Sequence, residues 1–199
     1  KKLREQTQFE LMNLQSELNI TFIVVTHDQE EAMTLSSRIA LMNKGEFIQI
    51  GSPSQIYETP INRYTADFFG SINFFDGEII SQDQKTKKTI AKLQSCNSFI
   101  YGQSDQQFDT KDAVIIGVRP EKIAINVKKP LDNEVSVIEG KIEGLAYYGD
   151  RNLYRVRTEK HGIILASSQN FERSELIKKD WKDKICLLYT SDAADERRR

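Results

Sequence analysis

The chain has 199 residues, 29 % of them charged and 39 % hydrophobic, with a net charge of −1. That length suits one medium domain or two small ones, and the balanced charge argues against a field aimed at nucleic acid or an anionic membrane surface. No apolar run approaches the roughly 20 residues of a bilayer-spanning helix, and Cys96 and Cys186 stand far apart without CxxC spacing, which fits a reducing compartment and not a zinc cluster or a disulfide framework.

In chain order, Lys1–Leu18 reads as the interior of a helix, with Leu3, Leu11, Leu14 and Leu18 on one face and no capping residue before it. There is neither an initiator Met nor a signal-peptide pattern, so this end is expected to be a cut through a longer chain. Asn19 breaks the helix. Thr21–Thr26 (TFIVVT) is a short run rich in β-branched residues, the pattern of a strand buried on both faces of a parallel sheet. A short helix with an acidic start comes next at Asp28–Ser37, then a second buried strand at Arg38–Met42. Asn43-Lys44-Gly45 makes a hairpin turn into Glu46–Ile50. Ser52 and Pro53 start another helix, and Asn62–Phe69 reads as one more, ended by Gly70.

After Gly70 the helical periodicity fades. Strands are predicted at Phe74–Ile80, Thr89–Leu93, Ala113–Val118, Lys122–Val127, Val135–Tyr148, Asn152–Arg157, Gly162–Ala166 and Lys184–Tyr189. Closely spaced short strands suggest a small β-barrel or sandwich. The division is therefore an α/β piece over residues 1–70 and a β-rich domain over 71–189. Residues 190–199 form a polar, basic tail that resembles non-native read-through and is set aside.

The chemistry-bearing candidate is Thr26-His27-Asp28-Gln29-Glu30-Glu31-Ala32. His27 stands where a predicted strand ends and a helix begins, the position at which α/β sheets place ligands and helix N–H groups face anions. From position alone, a structural or solvated histidine is the ordinary alternative. A metal site joining His27 to Asp28, Glu30 or Glu31 lacks a closed ligand set, and first-turn acids are commonly explained by the helix dipole. No metal is expected to be held here.

Residues 13–70 resemble the end of the nucleotide-binding domain of ATP-binding-cassette importers. The segment 18–32 (LNITFIVVTHDQEEA) is similar to their switch-histidine region. Segments 38–46 (RIALMNKGE), 49–53 (QIGSP), 56–60 (IYETP) and 66–70 (ADFFG) continue the likeness, and 2–4 (KLR) is similar to the residues just after the D-loop. The second half resembles the transport-associated, oligomer-binding-like (TOBE) domain of the same importers, through 116–123 (IGVRPEKI), 138–144 (IEGKIEG), 147–150 (YYGD) and 154–156 (YRV). The implied fold is the C-terminal lobe of a P-loop-type α/β cassette followed by a β-rich OB-like regulatory domain.

The resemblance implies that His27 contacts the γ-phosphate of ATP and orients the attacking water in a dimer of two cassettes. The general base would be a glutamate upstream of Lys1. ATP and Mg²⁺ would be held mainly by residues outside this sequence, which has no GxxxxGK[ST] loop and no LSGGQ-like signature. These 199 residues alone are therefore expected neither to bind ATP tightly nor to hydrolyse it. Arg119, Pro120 and Glu121 carry the β-domain motif, either as a ligand contact or as a salt-bridged surface turn.

Implied partners are a second ATPase subunit, membrane permease subunits and, indirectly, a solute-binding protein, with the assembly on the cytoplasmic face of the bacterial inner membrane. The stretch 69–75 (FGSINFF) is most similar to spermidine/putrescine importer ATPases, while iron(III), sulfate and sugar importers share most motifs. Oligonucleotide-binding folds use a basic groove with interleaved aromatics, and here acids balance the bases, so nucleic acid is not an expected partner. The alternative from another class is a stand-alone β module binding a small ligand or a partner protein.

Overall fold

The computed structural model describes residues 2–95, 98–104, 106–126, 137–170 and 185–190. The chain divides into two units, Lys1–Gly70 and Ser71–Arg199. In the first, helix α1 spans Lys2–Leu18 and stops at Asn19, whose φ of 50° is the left-handed conformation that Asn tolerates. The apolar residues Phe9, Met12, Leu14 and Leu18 of α1 are exposed. Helix α2, Gln29–Leu35, starts at the N-cap Asp28. Strands β1 (Ile39–Asn43) and β2 (Glu46–Gly51) pair antiparallel. Lys44 and Gly45 both take positive φ between them, the primed turn that matches strand twist in a tight hairpin.

Helix α3, Pro53–Glu58, opens on a capping box in which Ser52 and Gln55 satisfy each other's backbone N–H. Helix α4, Arg63–Phe68, is capped by Asn62. Ile39, Leu41, Ile56 and Phe69 form the core of this unit, with Ala32, Met33, Ile48, Tyr57 and Phe68 against them.

The expected two-face strand at Thr21–Thr26 is not formed. Those residues carry no strand, and Ile23 and Val25 are 91 % and 95 % exposed. A strand needs a neighbour to take its N–H and C=O groups, and among the described residues none pairs with this segment. Every strand pairing described is antiparallel, so the parallel α/β sheet is absent from the described residues. In β1, too, only Ile39 and Leu41 are buried while Ala40 and Met42 are exposed. The strand is covered on one face rather than two.

The second unit is built from strands. β3 (Asn73–Gln82), β4 (Lys88–Leu93), β5 (Phe99–Gln103) and β6 (Ala113–Val118) form a sheet in the order β5-β4-β3-β6. A 3₁₀ turn at Pro120–Lys122 leads to β7 (Ile123–Asn126). β8 (Val137–Tyr147), β9 (Arg151–Thr158), β10 (Gly162–Gln169) and β11 (Ile185–Thr190) complete a second sheet in the order β10-β9-β8-β11-β7. Its two edges, β7 and β10, approach each other, so the sheet curls toward a barrel.

Alternation along β9 puts Asn152, Tyr154, Val156 and Thr158 inside and Arg151, Arg155 and Arg157 outside. Phe75, Leu93, Ile100 and Val118 of the first sheet share one core with Ile142, Tyr154, Val156 and Ile164 of the second. The architecture is the β-rich, barrel-like one expected for this part of the chain. β5 is not anticipated by the strand pattern. Thr190, expected in the tail, closes β11 opposite Ile123, and residues 191–199, like Val127, Val135 and the side chains of β11, lie outside the described residues.

Candidate functional site

His27 occupies the bend between Thr26 and α2, and it is exposed. Hydrogen bonds on either side shape the bend. The Thr26 hydroxyl donates to Glu31 Oε2 at 2.7 Å and accepts the Asp28 N–H at 3.0 Å. Asp28 Oδ1 accepts the Glu31 N–H at 3.0 Å, and the Asp28 carbonyl accepts the Ala32 N–H at 3.1 Å. Asp28 is thus the helix cap, the local role that the acidic start of a helix suggests.

Asp28 and Glu31 both accept hydrogen bonds within the turn, and among the described residues no group of three or more His, Cys, Asp or Glu could hold a metal ion. Among the described residues none gather into the near-octahedral oxygen set that Mg²⁺ requires.

Arg119, Pro120 and Glu121 lie in the second unit. Arg119 is 5 % exposed and caps the 3₁₀ turn. Its Nη1 donates to the Ser71 carbonyl at 3.4 Å, and its own carbonyl accepts the Lys122 N–H at 3.0 Å. Pro120 is buried and Glu121 is exposed, so the triplet does not present one shared surface.

The pattern reading misses two polar groups that join the sheets of the second unit. Buried Asn73 donates through Nδ2 to the carbonyls of Val118 (3.1 Å) and Leu165 (2.8 Å), and its Oδ1 accepts the Leu165 N–H at 2.8 Å. His161 Nδ1 meets Ser95 Oγ at 2.8 Å, and the ring stands edge-on to Phe75 at 5.4 Å. Burial, with the nearby Lys160 ammonium adding to it, pushes the His161 imidazole below its ordinary value. Neither role has a local signature, because each depends on a partner far away in sequence. Among the described residues no helix is long and apolar enough to cross a membrane.

Residues 116–190 match the TOBE domain family. Similarity to curated proteins runs through most of the chain. It is 35 % identical over 193 residues to the putrescine transport ATP-binding protein PotG of Escherichia coli, covering 97 % of this chain and 50 % of that protein. It is 40 % identical over 170 residues to the spermidine/putrescine import ATP-binding protein PotA of Thermobifida fusca, covering 85 % of this chain and 43 % of that protein. The chain is a relative of these polyamine-import ATP-binding proteins.

It spans about half the length of the curated relatives it matches. Among solved structures, the cytoplasmic molybdate-binding protein ModG overlays 59 % of this chain and 89 % of its own with a TM-score of 0.49 and 10 % identity.

Proposed function

We propose that this chain is part of the ATP-hydrolysing subunit of an ATP-binding-cassette importer that takes up a polyamine. Residues 1–70 are read as the C-terminal part of its nucleotide-binding domain and residues 71–189 as its TOBE-type regulatory domain. The observation that carries the proposal is 35–40 % identity to polyamine-import ATP-binding proteins along 85–97 % of the chain. The bare apolar surface of Ile20–Val25 and α1 supports it, since such residues suit a segment whose sheet neighbours lie elsewhere in a longer protein.

The remainder of the subunit would supply the phosphate-binding loop, the signature motif, the general base and the Mg²⁺ ligands. A second copy would complete the nucleotide sites, and permease subunits would receive the motion at the cytoplasmic face of the membrane. Iron(III), sulfate or sugar as the solute is the alternative within the same class.

In this reading His27 faces the γ-phosphate. Phosphoryl transfer leaves a protein little covalent chemistry to perform, so catalysis rests on positioning and on charge stabilisation. An imidazole donates a hydrogen bond in either protonation state. At an exposed bend it can reach an oxygen of the transferring group or the attacking water. His27→Ala in the complete subunit, assembled with its permeases, is expected to lower kcat for ATP about 100-fold or more while nucleotide affinity changes little. Wild-type turnover in that variant would refute the role.

A further inference from the structure

His27 is flanked by two residues that both bond to Glu31, Thr26 to its carboxylate and Asp28 to its backbone N–H, and this gives the bend an internal lock. The Thr26 hydroxyl has one hydrogen, and the Glu31 carboxylate, an acceptor only, takes it. The hydroxyl oxygen is then oriented to receive the N–H of Asp28, the residue after His27. The Asp28 carboxylate in turn receives the backbone N–H of Glu31. The result is a closed ring of hydrogen bonds, Thr26–Glu31–Asp28–Thr26, with His27 in the chain between Thr26 and Asp28. Resting on the reading of His27 given above, we propose that Thr26 and Glu31 are positioning residues: their hydrogen bond holds the backbone on both sides of His27, so that the imidazole meets the phosphate from one direction.

The alternative purpose of such a ring is to start α2. The two purposes separate experimentally. A helix-starting role would affect stability and assembly and leave turnover per assembled complex unchanged. A positioning role moves kcat, because misplacing a catalytic group by about 1 Å costs on the order of 100-fold. The distinction also lies in which atoms are needed. Serine keeps the hydroxyl and loses the methyl, valine keeps the shape and loses the hydroxyl, and glutamine keeps an acceptor oxygen and loses the charge.

The test uses the complete subunit assembled with its permeases, with steady-state ATP turnover per intact complex. Thr26→Val and Glu31→Leu are each expected to lower kcat about 10- to 100-fold while KM for ATP stays within about twofold. Thr26→Ser and Glu31→Gln are expected to stay within about threefold of wild type. The double variant should be no slower than the worse single one, since both remove one bond.

Either single variant suffices should the other not assemble. Wild-type kcat in Thr26→Val or Glu31→Leu overturns the proposal, as does Thr26→Ser as impaired as Thr26→Val, or fully additive losses. His27→Ala measured alongside keeps the two ideas apart. If it turns over normally, the reading of His27 itself fails. If it is slow while Thr26→Val and Glu31→Leu are normal, only the positioning role fails.

Discussion

Asn73 shows how one polar side chain can hold two sheets. All three of its side-chain hydrogen bonds go to backbone groups, two of them on Leu165, 92 residues away. A buried amide bonded on both ends stabilises modestly, but removing it strands its partners without water. Asn73→Ala is therefore expected to destabilise the β unit by about 2–5 kcal/mol, read as a lower urea midpoint with little change of slope. His161 acts in the same region, through Ser95 and the edge of the Phe75 ring.

At the scale of elements, local chemistry accounts for starts and stops well. Asp28, Ser52 and Asn62 cap α2, α3 and α4, and Lys44-Gly45 turns the first hairpin. Strand existence follows from alternation, and the ends of β3 and β10 run further than expected, to Gln82 and Gln169, because pairing with a neighbour carries polar residues into a ladder that their propensity alone would not select. β5 escapes the pattern since Phe99-Ile-Tyr-Gly-Gln103 is short and ends in polar residues, and its pairing with β4 is what makes it a strand.

Gly140 in β8 shows a demand that only packing imposes. A Cβ there would meet Val156 Cγ1 at 2.5 Å and the Arg157 carbonyl at 2.9 Å, and Val156 is fully buried with no room to yield. Gly140→Ala is expected to cost about 1–3 kcal/mol, detectable as a lower thermal midpoint, whereas Gly102→Ala, whose Cβ meets nothing within 4 Å, should change it little.

For the whole molecule, the contrast between the units is informative. The second has a core shared by two sheets, and the first a small cluster around Ile56 with Ile23 and Val25 left bare. If residues 1–70 belong to a larger nucleotide-binding domain, those two side chains are buried there. Ile23→Ser and Val25→Ser are then expected to shift the stability of the 199-residue chain by less than about 0.5 kcal/mol each, and to cost the complete subunit about 2–3 kcal/mol each. Equal and small effects in both would sink that reading and favour a stand-alone binding module.

The sequence by itself determined the residues with local or periodic signatures: the caps, the hairpin turn, most of the strands, the motif around His27 and the likeness to importer ATPases. Such signals need only near neighbours and regular spacing. Tertiary structure alone decided that Thr21–Thr26 is no strand among the described residues, since hydrogen bonds to a neighbour define a strand and propensity does not. It likewise decided that Asn73 and His161 tie two sheets together and that Arg119 is buried beside Ser71. Each of these depends on which groups the fold brings within about 3 Å of one another, and no spacing along the chain encodes that.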